Sequence, residues 1–416
     1  MLTAAGIRAS AVRRLVAVAG AALLAAAGCS ASSARVGNGG SSPAPGETRP
    51  GGYEVFSGGV DDFYVVPDPL PRGKPGELIR VQELGESAGL VSLRIMYHSR
   101  DAQDRDRAVT GVLTYPAGEP PKRGWPVIST AHGTSGLASR CAPSRTATQA
   151  PGWGVGGVWV MTDYIGLGPV GEIHPYLSKP SEGNAVIDAV RAAREVLEAH
   201  AGRRWVAIGH SQGGHGALAA AELAKRHAPE LDLVGTVALA PGAMLDRVYG
   251  GIDPIVTTIL TMMGLYGGAT EYPGIDVRDY LEPSALEAAA AVFETGCLAE
   301  ITDALIPVAL AGPFTADPRR TEPARSIILD NDVGLVEVKK APLFLASGTR
   351  DDRVVIERVR DLFDRLCDTG QTTEFLVVEG ADHGSVVPLT SAQVTKFITD
   401  RLAGRTPVDS CAALKR

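Results

Sequence analysis

Hydrophobic and polar positions alternate in three stretches, residues 78–84, 91–98 and 108–115, with the period of two that half-exposed antiparallel strands show. Farther along, short apolar runs at residues 126–131, 157–161, 205–208, 234–240, 342–348 and 373–378 each predict a further strand. Helical stretches fall between them. Residues 181–200 open on Ser181 as a cap and carry Val186, Val190 and Leu197 on one face. Residues 217–224 are strong helix formers, and residues 353–367 predict a third helix. Strands alternating with helices of this length predict an α/β fold with a doubly wound, mostly parallel sheet. Its reactive groups belong at the C-terminal ends of the strands.

The rhythm breaks between residues 243 and 337. An apolar stretch at 255–263 and an alanine-rich one at 284–293 make this a mainly helical insertion, because a structureless loop of that length is improbable. Its place in the chain predicts a cap, and Met262, Met263 and their helix would suit an acyl-chain wall. At the other end, Arg8, Arg13 and Arg14 precede an apolar run at 15–27 and then Ala26-Ala27-Gly28-Cys29, the layout of an export signal. The run is too short to span a bilayer. Cys29 after Ala-Ala-Gly resembles a lipobox, so Cys29 is a lipidation candidate and an anchor to the membrane. The expected organisation is a signal peptide at 1–28, a flexible Ser/Gly/Pro-rich linker at 29–55, a first part of the α/β domain at 56–242, the cap at 243–337 and the second part of that domain at 338–416.

A net charge of -7 without a basic stripe argues against nucleic acid as a partner. Besides Cys29 there are Cys141, Cys297, Cys367 and Cys411, an even number that in an exported protein reads as two disulfides, with three pairings open. Their spacing does not suggest a zinc site.

The strand at 205–208 runs into Gly209-His210-Ser211-Gln212-Gly213 and then into helix. This G-x-S-x-G in a strand, sharp turn, helix setting is the nucleophile elbow of α/β-hydrolases, which makes Ser211 the candidate nucleophile. A second copy, Gly85-Glu86-Ser87-Ala88-Gly89, is followed by an alternating strand and no helix, so it reads as a hairpin turn. The strand at 126–131 ends in His132-Gly133-Thr134, where such a fold places its second oxyanion donor. The oxyanion candidates are therefore Gln212 with Gly133 or Thr134. Gly348-Thr349-Arg350-Asp351 sets Asp351, ahead of Asp352, as the acid, with Asp352 able to cap the helix that follows. In the chain order serine, acid, histidine, only His383 of the eight histidines follows Asp351. His210 and His215 flank the nucleophile as packing groups or as supports behind the catalytic side chains.

These motifs together resemble the secretory lipase family of the fungal lipase A type. The likeness runs from Asp61-Asp62-Phe63-Tyr64 through Cys141-Ala142-Pro143-Ser144, Asp163-Tyr164-Ile165-Gly166 and residues 187–193 to Gly380-Ala381-Asp382-His383. The sequence departs at Gln212, where the fungal type has glycine. The resemblance implies an α/β-hydrolase fold with a helical cap, and disulfides joining Cys141 with Cys297 and Cys367 with Cys411. The expected activity is an exported serine carboxylic-ester hydrolase, secreted or lipid-anchored at the cell surface, acting on acylglycerols or other acyl esters. It calls for no metal or organic cofactor. A serine peptidase of the same fold, or a cell-envelope lipoprotein without activity, are the alternatives.

Overall fold

The computed structural model describes residues 52–414 apart from residue 249; the expected signal segment and Cys29 lie outside the described residues. Ten strands form one sheet: β1 (Glu54–Val55), β2 (Leu78–Ser87), β3 (Leu90–Arg100), β4 (Asp106–Pro116), β5 (Trp125–Ala131), β6 (Val158–Thr162), β7 (Ala201–His210), β8 (Asp232–Leu239), β9 (Leu343–Gly348) and β10 (Thr373–Val378). A short α1 (Val60–Phe63) precedes β2. The long helices are α2 (Lys179–Leu197), α3 (Gln212–His227), α4 (Pro254–Ala269), α5 (Pro283–Phe293) and α6 (Leu298–Ala311). After α7 (Ala324–Asp330) come α8 (Ile356–Thr369), α9 (Val386–Leu402) and the short α10 (Cys411–Leu414).

The strand order is β1-β2-β3-β4-β6-β5-β7-β8-β9-β10. Strands β2, β3, β4 and β6 pair antiparallel, and from β6 to β10 every pair is parallel. The chain goes from β5 out to β6 on one side and returns through α2 to β7 on the other. The order therefore reverses at β5, and a crevice for reacting groups opens beyond the carboxyl ends of β5 and β7. Register puts those ends level: Ala131 lies against Gly209, His210 against Leu239, and Leu239 against Ala346. On β7 the side chains alternate between two cores. Trp205 and Ala207 pack with α2 residues such as Val186 and Ala189, and Val206 and Ile208 pack with Val394, Phe397 and Ile398 of α9.

Several expectations shift by a few residues. Glu54 and Val55, assigned to the linker, pair with Arg80 and Val81 and so begin the sheet. The cap of α2 is Ser178 rather than Ser181, because Pro180 already sits in the first turn. Helix α8 begins at Ile356, not at residue 353, since Asp351 takes up the N–H groups of Arg353 and Val354. The second G-x-S-x-G is a hairpin: Ser87 pairs with Leu90, and Ala88 and Gly89 turn at positive φ of 53° and 73°.

Between β8 and β9 lie α4 to α7, with an apolar core of their own that also takes in Leu137 and Tyr176. Met262 and Met263 are fully buried in that core, so they are packing and not an open acyl-chain wall. The disulfides are Cys141–Cys297 and Cys367–Cys411. The first ties the loop after β5 to the start of α6. It spans 156 residues and the second 44, so loop entropy assigns them about 5 and about 4 kcal/mol. Replacing Cys141 and Cys297 together by serine is expected to lower the free energy of unfolding by up to about 5 kcal/mol in urea titrations, slightly more than the same change at Cys367 and Cys411.

Candidate active site

Ser211 sits between β7 and α3 at φ 60° and ψ -120°, a conformation that L residues rarely adopt. The glycines around it explain why the turn can close. A Cβ on Gly209 would stand 2.0 Å from the Gly213 carbonyl oxygen, and one on Gly213 would stand 2.0 Å from that of Ala131. Strand β7, helix α3 and the end of β5 thus meet backbone to backbone, and only glycine fits at those two points. The Ser211 N–H donates to the Leu239 carbonyl at 2.9 Å, and the Ser211 carbonyl accepts from the Gly242 N–H at 3.0 Å. Strain gathers here: Ala240 and Met244 also take positive φ of 41° and 53°.

The loops after β9 and β10 bring Asp351 and His383 together. His383 Nδ1 donates to Asp351 Oδ2 at 2.8 Å, while Asp351 Oδ1 accepts from the N–H groups of Arg353 and Val354 at 2.9 and 2.8 Å. Asp351 and His383 are buried and Asp352 is exposed, so the pair uses Asp351. His210, next to Ser211, donates from Nε2 to the His383 carbonyl at 2.7 Å, and the two rings lie 4.5 Å apart. Among the described residues no hydrogen bond joins Ser211 Oγ to His383 Nε2; such contacts commonly tighten only when substrate is bound. Burial, then the charge of His383, pushes the His210 imidazole down to about 4, which keeps it a neutral donor at neutral pH.

The loop after β5 lies alongside. A Cβ on Gly133 would be 3.5 Å from the His210 carbonyl oxygen, and Thr134 Oγ1 meets the Tyr176 hydroxyl at 2.8 Å. This loop is also fastened to the helical insertion. Gly136 bridges to Cys297, and the Ser135 carbonyl accepts from the Leu298 N–H at 2.8 Å.

Behind the elbow is a cluster the motifs did not reveal. Glu182 on α2 is fully buried and accepts from Gln212 Nε2, His215 Nδ1 and the Leu177 N–H at 2.7, 2.7 and 3.0 Å. Gln212 Nε2 also donates to His174 Nε2 at 2.7 Å, and His174 Nδ1 donates to the Ile165 carbonyl. His215 Nε2 donates to the Asn331 carbonyl at 2.8 Å, so both ring nitrogens of His215 are donors and the ring is an imidazolium. Burial alone would raise the Glu182 carboxyl, but the charge of His215 and its hydrogen bond hold it at about 2; burial lowers His215, and Glu182 reverses that. No sequence signal marks Glu182, since an acid near a helix N-terminus is ordinary.

A second buried carboxylate, Asp163, accepts from the Ser144 N–H at 2.9 Å and Thr110 Oγ1 at 2.6 Å, and burial raises its carboxyl above the usual range. It fastens the loop after β6 to β4.

The signs of these shifts fix a pH dependence. Glu182, held below its free value of 4.5, contributes stability that is complete above that pH and is lost as pH falls toward 2. His215, held above its free value of 6.5, contributes stability that is lost as pH rises through its folded value. Urea unfolding across pH 2 to 5 is expected to give a shallower acid limb in Glu182→Gln than in the wild type.

The secretory lipase model matches residues 149–410. A probable inactive lipase of Mycobacterium tuberculosis (strain CDC 1551 / Oshkosh) is 23% identical over 386 residues, spanning 84% of this chain and 83% of that one. A secreted triacylglycerol lipase of Malassezia globosa is 26% identical over 257 residues, 58% of this chain and 53% of the relative. Among solved structures, Candida antarctica lipase A in its closed state aligns with a TM-score of 0.68 at 17% identity, over 83% of this chain and 86% of that one. The rice cell wall degrading esterase LipA from Xanthomonas oryzae aligns at 0.64 and 19% identity, over 80% and 100%. The fold is that of the α/β-hydrolases, and the family match covers well over half of the sequence. The chain belongs to the secretory lipase family.

Proposed function

We propose that the protein is an exported serine carboxylic-ester hydrolase that cleaves acylglycerols or other acyl esters through an acyl-enzyme on Ser211. The observation that carries this reading is the Asp351–His383 hydrogen bond, on a loop clasped by His210, the residue before Ser211. In this mechanism His383 Nε2 takes the proton of Ser211 Oγ as the oxygen attacks the ester carbonyl. Asp351 keeps the proton on Nδ1 and stabilises the imidazolium that forms. The N–H groups of Gln212 and of Gly133 or Thr134 stabilise the oxyanion, each worth on the order of 3 kcal/mol. His383 returns the proton to the leaving alcohol, and water, deprotonated by the same ring, releases the acid.

The helices between β8 and β9 are read as a cap fastened to the oxyanion loop by Cys141–Cys297. Two disulfides favour an oxidising compartment and so support export. Cys29 is the proposed site of lipid attachment; the mass of the mature N-terminal peptide decides between a lipidated and a released form.

A second reading follows from the relative named a probable inactive lipase: a non-catalytic protein of the cell envelope that has kept the fold. A fluorophosphonate probe separates the two, because it labels a reactive serine and leaves an inert one untouched. The ester-hydrolase reading expects labelling that Ser211→Ala abolishes together with hydrolysis of p-nitrophenyl esters. Full activity in Ser211→Ala, or no labelling of the wild type, would overturn it. Asp351→Asn is expected to lower kcat by about four orders of magnitude, while Asp352→Asn stays within about threefold of the wild type.

A further inference from the structure

An oxyanion needs donors from two separate parts of the chain, and the triad does not explain what aligns them. We propose that Glu182 is the positioning residue that sets both halves of the oxyanion hole, holding Gln212 directly and Thr134 through Leu177 and Tyr176. The inference rests on the acyl-transfer reading above and deepens it.

The connections are short. Glu182 Oε1 accepts from Gln212 Nε2 at 2.7 Å and from the Leu177 N–H at 3.0 Å. Gln212 begins α3, so tethering its side chain fixes the direction of its own N–H. On the other branch, Leu177 is held at a φ of 58° and lies over Gly242, which donates to the Ser211 carbonyl. The residue before it, Tyr176, meets Thr134 Oγ1 at 2.8 Å. One carboxylate therefore reaches the loop after β5 and the first turn of α3 at once.

The chemistry suits a carboxylate and not its amide. Three donors converge on Glu182: a backbone N–H, an amide nitrogen and an imidazolium. Glutamine in its place would turn an NH2 toward one of them. The negative charge would oppose an oxyanion nearby, but His215, hydrogen-bonded to Glu182 Oε2, neutralises it. A side chain shorter than glutamine at position 212 would not reach the carboxylate, so the tether depends on Gln212 itself.

The test uses the full chain with two variants, Glu182→Gln and Gln212→Ala. Each is titrated to completion with a fluorophosphonate so that rates are expressed per active site. Then kcat and KM are measured on a p-nitrophenyl ester, and Ki for an alkylboronic acid, whose serine adduct is tetrahedral and anionic. The expected result is a kcat lower by about ten- to a hundredfold, KM within about threefold, and a boronate Ki raised in step with the loss of kcat/KM. Unchanged kcat per active site in both variants, or a fall in kcat without a rise in Ki, would overturn the proposal. If Glu182→Gln does not fold, Gln212→Ala decides alone, since it removes the tether and leaves the Glu182 and His215 pair in place. Failure of the acyl-transfer reading itself registers separately, as a wild type that the probe does not label.

Discussion

The backbone of Ser211 is the constraint on which the rest of the site depends. A non-glycine residue at φ 60° and ψ -120° costs on the order of 1–3 kcal/mol and persists only where its surroundings leave no alternative. The surroundings here do so on three sides. Gly209 and Gly213 allow β7, α3 and the end of β5 into contact distances that any Cβ would forbid. Leu239, at the end of the next strand, takes the amide of Ser211, and Gly242, just beyond it, holds the carbonyl. The level ends of β5, β7, β8 and β9 bring the loops of Thr134 and Asp351 to the same edge of the sheet as the bend, and β10, paired with β9, brings the loop of His383. The fold is in this sense a device for keeping one residue strained.

Buried charge has a related role. Ionised carboxylates inside a protein are costly unless each oxygen is met by donors, and Glu182 and Asp163 are both met in that way. Glu182 joins α2 to α3, and Asp163 joins the loop after β6 to β4. Both lie in the regions that flank the elbow. A hydrophobic replacement could pack those places, but it could not fix direction, and direction is what an oxyanion donor needs.

Much of this was legible in the sequence because it depends on local patterns. The strand and helix rhythm gave the sheet, and glycines at positions 209 and 213 marked the bend. The order serine, acid, histidine left His383 as the one histidine available. Helix starts were less legible: Ser178 and Ser181 are both good caps, and only the placement of Pro180 in the first turn separates them. The methionine pair looked like a pocket wall because composition does not say which face of a helix meets solvent. Glu182, His174 and His215 were invisible as a group. Each is ordinary at its own position, and they become a network only when α2, α3 and the loop after β6 converge.

The helical insertion holds the two sides of the site by different means. On one side it grips the loop after β5 through Cys141–Cys297, the Gly136 bridge and the N–H of Leu298. On the other, the carbonyl of Asn331, just after α7, accepts from His215 on α3. The first grip is covalent and indifferent to pH, whereas the second needs a proton on His215 Nε2. Any displacement of the insertion as a body would pull on Gly133 and Thr134 through the disulfide and on Gln212 through His215. The insertion is thus tied both to the loop that carries Gly133 and Thr134 and to the helix that begins at Gln212.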